Sequence, residues 1–145
     1  MSKIVKLENL LGIQMSQTIL IMRSFLVKEF ENRKSSIRFE DWMNLYPVYL
    51  NEGLSQKELS DFLVRDKTTV SRIVDGWEKK GFIKREYSLE DKRRMGIYFT
   101  PQGKKRWKSA EEIVNDLDKI FISRLKNLDD FLQALGDIRA SILRK

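Results

Sequence analysis

Two short runs hold the residues best suited to chemistry. Asp66-Lys-Thr-Thr-Val-Ser-Arg72 gathers Lys67, Thr68, Thr69, Ser71 and Arg72, and Asp91-Lys-Arg-Arg94 adds Lys92, Arg93 and Arg94. These are recognition groups. Guanidinium forks pair with guanine, Thr methyls meet thymine methyls, and cations release the counterions condensed on a nucleic acid. Each run also has a plainer account. Thr68, Thr69 and Ser71 suit helix capping and solvent, and three consecutive cations suit the protection of a hairpin edge from aggregation.

Composition removes most alternatives. With 0 His and 0 Cys in 145 residues, the usual zinc sets, thiol nucleophiles, Ser–His–Asp triads and disulfides lack their side chains, so no metal, cofactor or enzymatic activity is expected. The paired carboxylates Glu111/Glu112 and Asp129/Asp130 do not rescue catalysis, because neighbours on a helix diverge by about 100°. No stretch approaches the roughly 20 apolar residues of a membrane span, and the N-terminus lacks the ordered regions of a signal peptide. A cytoplasmic protein without a membrane partner is expected. The 28 basic and 21 acidic residues are unevenly placed: residues 64–108 carry 14 and 6, a net +8. That excess suits a polyanion. An anionic lipid surface would also select it, although here the cations spread over a helix and a hairpin and not one amphipathic face.

The elements that position these runs follow from caps and periodicity. Ser55-Gln-Lys-Glu58 is a capping box with Leu54 and Leu59 as its hydrophobic staple, predicting a helix to about Leu63 that buries Leu59, Phe62 and Leu63. Asp66 then caps a second helix, whose Val70, Ile73, Val74 and Trp77 form a core stripe and which ends at Gly81. Lys67, Thr68, Thr69, Ser71 and Arg72 fall off that stripe. Residues 82–87 and 95–100 have the β-branched and aromatic content of two strands, with the cationic run in the loop between them. Thr100-Pro101 restarts a helix.

Long helices flank this unit. Leu7, Leu11, Met15, Ile19, Met22, Leu26 and Phe30 recur every three or four residues, with Leu10, Ile13, Leu20 and Ile21 partly off the stripe. So much apolar surface suits either a central core helix or a face covered by a second subunit. Phe39 to Leu50 repeats the pattern, with Pro47 predicting a kink or an end near Tyr46. A helix carrying Trp107, Ile113, Leu117, Ile120 and Phe121 follows Pro101. A last helix, capped by Asn127, carries Leu128, Phe131, Leu132, Leu135, Ile138 and Ile142.

Helix, tight turn, helix and basic-tipped hairpin form a winged helix–turn–helix, in a mainly α (α+β) chain. Leu54-Ser-Gln-Lys-Glu-Leu59, residues 66–75, Glu78-Lys-Lys-Gly81, Asp91-Lys-Arg93 and Tyr98-Phe-Thr-Pro-Gln-Gly103 together resemble the MarR family of bacterial transcriptional regulators, over residues 37–103. The resemblance implies a single domain, with residues 1–36 and 104–145 as dimerisation helices and 37–103 as the winged lobe. It further implies a homodimeric repressor of a pseudo-palindromic, A·T-rich double-stranded operator. Lys67–Lys80 would be its recognition helix, and Asp91 and Arg93 its wing Asp-x-Arg pair, the carboxylate holding the Arg extended into the minor groove. An aromatic or anionic small-molecule effector would bind between the long helices and the lobe, with Met22, Phe39, Trp42 and Met43 as the candidate lining residues, which are also ordinary core fillers. Departures from the family pattern are Arg38 where Thr or Ser is frequent, Pro47 inside the next helix, and Gly96, which suggests a bulge or a mobile wing. A winged-helix module for protein contact is the alternative; it would keep the Val70/Ile73/Val74/Trp77 stripe without requiring the cationic tip.

Overall fold

The computed structural model describes residues 6–143, so the expected terminal segments fall outside the described residues at 1–5 and 144–145. A 3-10 turn at Leu7–Asn9 precedes α1 (Leu11–Asn32), α2 (Phe39–Leu50), α3 (Gln56–Leu63) and α4 (Lys67–Lys79). The hairpin β1 (Ile83–Tyr87) and β2 (Met95–Phe99) then leads into α5 (Pro101–Ile122) and α6 (Leu128–Leu143). The fold is the expected winged helix–turn–helix flanked by long helices.

Local chemistry sets the boundaries. Ser55 Oγ accepts from the Glu58 amide at 3.1 Å while the Ser55 amide donates to Glu58 Oε2 at 2.7 Å, closing the predicted capping box. Asp66 Oδ1 accepts from the Thr69 amide at 2.8 Å, Thr100 Oγ1 from the Gly103 amide at 2.9 Å, and Asn127 Oδ1 from the Asp130 amide at 3.1 Å. The turn between α3 and α4 is tight because Val64 takes a left-handed conformation, φ 52°, unusual for a β-branched residue.

Several expectations require correction. The first helix begins at Leu11, and Leu7 belongs to the separate turn. Of the kink or end expected near Tyr46, the end does not occur: α2 runs three residues past Pro47. The Asn51 amide still donates to the Pro47 carbonyl at 3.0 Å, and Pro47 and Val48 are buried, so packing and a closed last turn hold the helix past the missing donor. Phe62 is exposed and Ser60 takes the buried place on α3; Ile73 is only half-buried, and Ile120 is exposed. Each strand is one residue shorter than expected. Gly96 makes no bulge: the antiparallel ladder pairs Glu86 with Gly96 and Tyr87 with Met95 without interruption. Its role is close approach, since a Cβ there would lie 2.7 Å from the Gly53 carbonyl oxygen. The Gly53 loop is stitched to β2 at this point, Gly53 N to Ile97 O at 2.8 Å and Ile97 N to Leu54 O at 2.9 Å.

The core lies where α2, α4, the hairpin and α5 meet. Leu45, Val48, Leu59, Val70, Val74 and Ile97 are essentially inaccessible. Trp42 of α2 stacks on Trp107 of α5, ring centroids 5.1 Å apart, and each indole N–H donates to the other's backbone carbonyl, at 3.1 and 2.9 Å. In contrast, α6 buries no residue, and Leu11, Ile13, Ile19, Leu20, Ile21, Phe131, Leu132 and Ile142 are exposed in the single chain. Of the two readings of α1, only its C-terminal end, at Phe30, is core.

Candidate nucleic-acid interface

The start of α4 and the tip of the hairpin are the two places where the cations and hydroxyls of interest stand clear of the core. Because Val70, Val74 and Trp77 pin one face of α4 inward, Lys67, Thr68 and Arg72 are exposed and Ser71 is half-buried. Thr69 is different. Its hydroxyl donates to Asp66 Oδ2 at 2.6 Å, so it completes the cap, and with the Thr69 amide it holds the Asp66 carboxyl below the usual range. The outward set is therefore Lys67, Thr68, Ser71 and Arg72, at the positive end of a 13-residue helix.

At the hairpin tip Asp91, Lys92, Arg93 and Arg94 are all exposed, but they do not act alike. Asp91 Oδ1 accepts from the Arg93 backbone amide at 2.9 Å, so the carboxylate braces the turn and does not hold the Arg93 guanidinium. This corrects the expected Asp–Arg side-chain pair: a residue two places away in a tight turn presents its amide first. Arg94 folds back, its Nη2 2.5 Å from Glu58 Oε2, which ties the wing to the capping box of α3. The Ser55 amide first, with help from Arg94, holds the Glu58 carboxyl below its ordinary value against the opposing effect of burial. Lys92 and Arg93 have no ion-pair partner among the described residues, leaving two free cations per tip.

Two charged groups that sequence patterning passes over fix α4 to its neighbours. Arg85 of β1 donates through Nη2 to Asp75 at 2.6 Å and through Nε to Glu78 at 3.0 Å, both on α4. Those carboxylates, Glu78 first, hold the Arg85 pKa above its ordinary value. Asp75 and Glu78 stand three apart, one turn of the same helix face, a spacing that signals a shared partner without naming it. Asp41 of α2 accepts from Trp77 and Lys80, and nothing in its sequence neighbourhood announces this, since an acid in a first helical turn has a local explanation.

The four candidate effector residues do not converge. Trp42 is committed to Trp107, Met43 is half exposed, and Met22 is half-buried on α1. A hollow of about 570 Å³ does open between α1 and the start of α2, and of the four only Phe39 lines it, beside Arg23, Val27, Phe30 and Arg38.

An α-helical scaffold presenting one helix N-terminus and a cation-tipped hairpin defines the winged helix–turn–helix class. Residues 40–95, from the start of α2 to the start of β2, match the model of the MarR family. Over 93 residues the chain is 31% identical to the uncharacterized HTH-type transcriptional regulator YdcH of Bacillus subtilis (strain 168), covering 64% of this chain and 63% of that one. The matched segments span about half to just under two thirds of the curated relatives' lengths. Among solved structures, a MarR/EmrR family transcriptional regulator from Acinetobacter sp. ADP1 superposes with a TM-score of 0.84 at 20% identity, covering 97% of this chain and 100% of that one. MepR of S. aureus, in a DNA complex, gives 0.76 at 20% identity over 96% and 99%. At that identity these structures establish the fold.

Proposed function

We propose that this chain is a homodimeric transcriptional repressor that binds a pseudo-palindromic, A·T-rich operator. The observation that carries the reading is the pairing of an outward α4 start (Lys67, Thr68, Ser71, Arg72) with a wing tip holding two unpaired cations, Lys92 and Arg93. One places hydrogen-bonding groups for a major groove, and the other places a cation for the adjacent minor groove. MepR, of the same fold, was crystallised with DNA, which supports this use of the surface. Dimerisation is supported by the exposed apolar residues of α1 and α6, more than an isolated chain of this size would leave in water. Two α4 helices would then meet major-groove faces about 34–36 Å apart. For release by an aromatic or anionic effector, we assign the hollow between α1 and α2, with Phe39 on its apolar side and with Arg23 and Arg38, paired in the free chain with Glu40 and Asp41, as the cations an anion would compete for.

The test is a fluorescence-anisotropy titration of the purified protein against fragments of its own upstream region and bulk competitor DNA. Preferential binding of a fragment with an inverted repeat is expected. If every fragment binds like competitor at moderate salt, the reading fails and the protein-contact alternative replaces it.

A further inference from the structure

Among the described residues, Asp41 is the only charged residue that is buried, at 7% exposure. It sits in the first turn of α2, and its carboxylate reaches the last turn of α4. Oδ1 accepts from Trp77 Nε1 at 3.0 Å, and Oδ2 accepts from Lys80 Nζ at 2.9 Å and from Arg38 Nε at 3.1 Å. Arg38, at the start of α2, makes no side-chain cap of its own; its guanidinium serves this carboxylate instead. Trp77 lies in the last turn of α4 and Lys80 is its C-cap residue, so the two bonds resist both rotation of the helix about its axis and a change of its tilt. From the opposite side Arg85 grips Asp75 and Glu78 on the same helix.

All of these bonds hold the C-terminal half of α4, whereas the outward residues lie at 67–72. The lever is long enough to matter. Nine residues of helix at 1.5 Å per residue span roughly 13 Å, so a tilt of about 10° at the pinned end moves the reading end by about 2 Å. That displacement exceeds the tolerance of a hydrogen bond to a base edge several times over. A buried charge set of this kind stabilises a fold little better than an apolar residue of equal volume would, so its distinctive contribution is geometry.

We propose that Asp41 is a positioning residue for operator recognition, pinning α4 through Trp77 and Lys80 at the angle from which Lys67, Thr68, Ser71 and Arg72 meet the groove. This rests on the DNA-binding reading above. Asp41→Asn keeps the volume and an acceptor for Trp77 but removes the charge facing Lys80 and Arg38; Trp77→Phe removes the indole donor and keeps an aromatic ring.

Two readouts separate positioning from bulk stability. The first is the ratio of affinities for the selected operator and a random duplex. The second is the distance between nitroxide labels at Thr68→Cys and Lys28→Cys, measured without DNA in dimers diluted with unlabelled chain; the protein has 0 native cysteines to interfere. Asp41→Asn is expected to remain folded and dimeric, to lower the affinity ratio about tenfold with random-duplex affinity and salt slope nearly unchanged, and to broaden the label distance by about 2 Å. Trp77→Phe should give a smaller loss of the same kind, and it carries the test by the same readouts if Asp41→Asn does not fold. An unchanged ratio with an unchanged distance distribution overturns the proposal, whatever happens to thermal stability. Failure of the parent protein to prefer any operator sinks the DNA reading and this proposal's link to it. The label distance then still judges the pin: broadening supports it and an unchanged distribution removes it.

Discussion

Replacing Arg93 and Arg94 one at a time separates the wing's free cation from its paired one. Arg93 contributes only its backbone amide to the folded chain, through Asp91, so Arg93→Ala should change stability by no more than about 0.5 kcal/mol. Arg94→Ala removes an ion pair to Glu58 whose two side chains are each 46% exposed, which at that degree of solvent screening is worth at most about 1 kcal/mol. On DNA the order reverses. Loss of a minor-groove Arg costs about 1–3 kcal/mol per half-site, and the slope of log affinity against log salt falls by about 0.9 for each charge removed, hence by nearly 2 units for a dimer. Arg94 must leave Glu58 before it can reach phosphate, so its removal should cost less and flatten the slope less. The assay is anisotropy on an operator duplex between 50 and 200 mM salt, a range in which about six to ten phosphate contacts change affinity by orders of magnitude. Far-UV circular dichroism first establishes that both variants are folded. Unchanged affinity and slope for Arg93→Ala would reduce the wing to a protected hairpin and withdraw the role assigned to Arg93. A larger loss for Arg94→Ala than for Arg93→Ala would refute the assignment of Glu58 as its standing partner.

Three further outcomes are expected. Burial raises the Asp41 carboxyl, but Lys80, Arg38 and Trp77 outweigh it and leave the folded-state pKa below the ordinary carboxylate value. The resulting stability is present above the unfolded pKa of about 3.9 and is lost as pH falls through the folded value, so the stability difference between the parent protein and Asp41→Asn, by urea denaturation, should shrink from pH 6 toward pH 3. A difference that grows toward low pH would contradict the ion-pair assignment. Leu20→Glu places a charge on the exposed apolar face of α1 and should convert a dimer to monomer in sedimentation velocity at micromolar concentration; a parent protein that is already monomeric there would refute the interface. A Cβ on Gly103 would overlap the Phe82 carbonyl oxygen and lie 2.6 Å from its carbon, so Gly103→Ala should destabilise by about 3 kcal/mol or more, lowering the melting temperature by roughly 10 °C, and an unchanged melting curve would refute the close approach of α5 to the Phe82 backbone.

The lobe was largely readable from the chain because its boundaries are local. Ser55, Asp66, Thr100 and Asn127 each cap a helix with a partner three residues away, and such contacts are written in adjacent letters. Local pattern misleads where a distant surface decides. Pro47 looks like a terminus until the buried packing of Val48 holds the turn, and Phe62 looks like core on a helix whose partner covers Ser60 instead. In the site, the outward face of α4 followed from periodicity. Pairs that depend on the third dimension did not: Glu58 with Arg94, Arg85 with Asp75, and Asp41 with Trp77 are 36, 10 and 36 residues apart. Of the candidate effector residues only Phe39 lines the hollow between α1 and α2, since apolar type says that a side chain avoids water and not whether it faces a void or another ring.

The stacked indoles of Trp42 and Trp107 give the molecule an internal optical gauge. Their planes differ by only 8°, and Tyr49 also stacks on Trp107 with ring centroids 4.2 Å apart, so the three rings form one aromatic cluster between α2 and α5. Transition dipoles this close couple, so the near-ultraviolet dichroism of the protein should carry a contribution that depends on the spacing of two helices, one in the winged lobe and one leading into the terminal region. Any event that slides the lobe against α5 by an ångström breaks the reciprocal indole–carbonyl bonds and rewrites that spectrum, and the motion can be followed without a label.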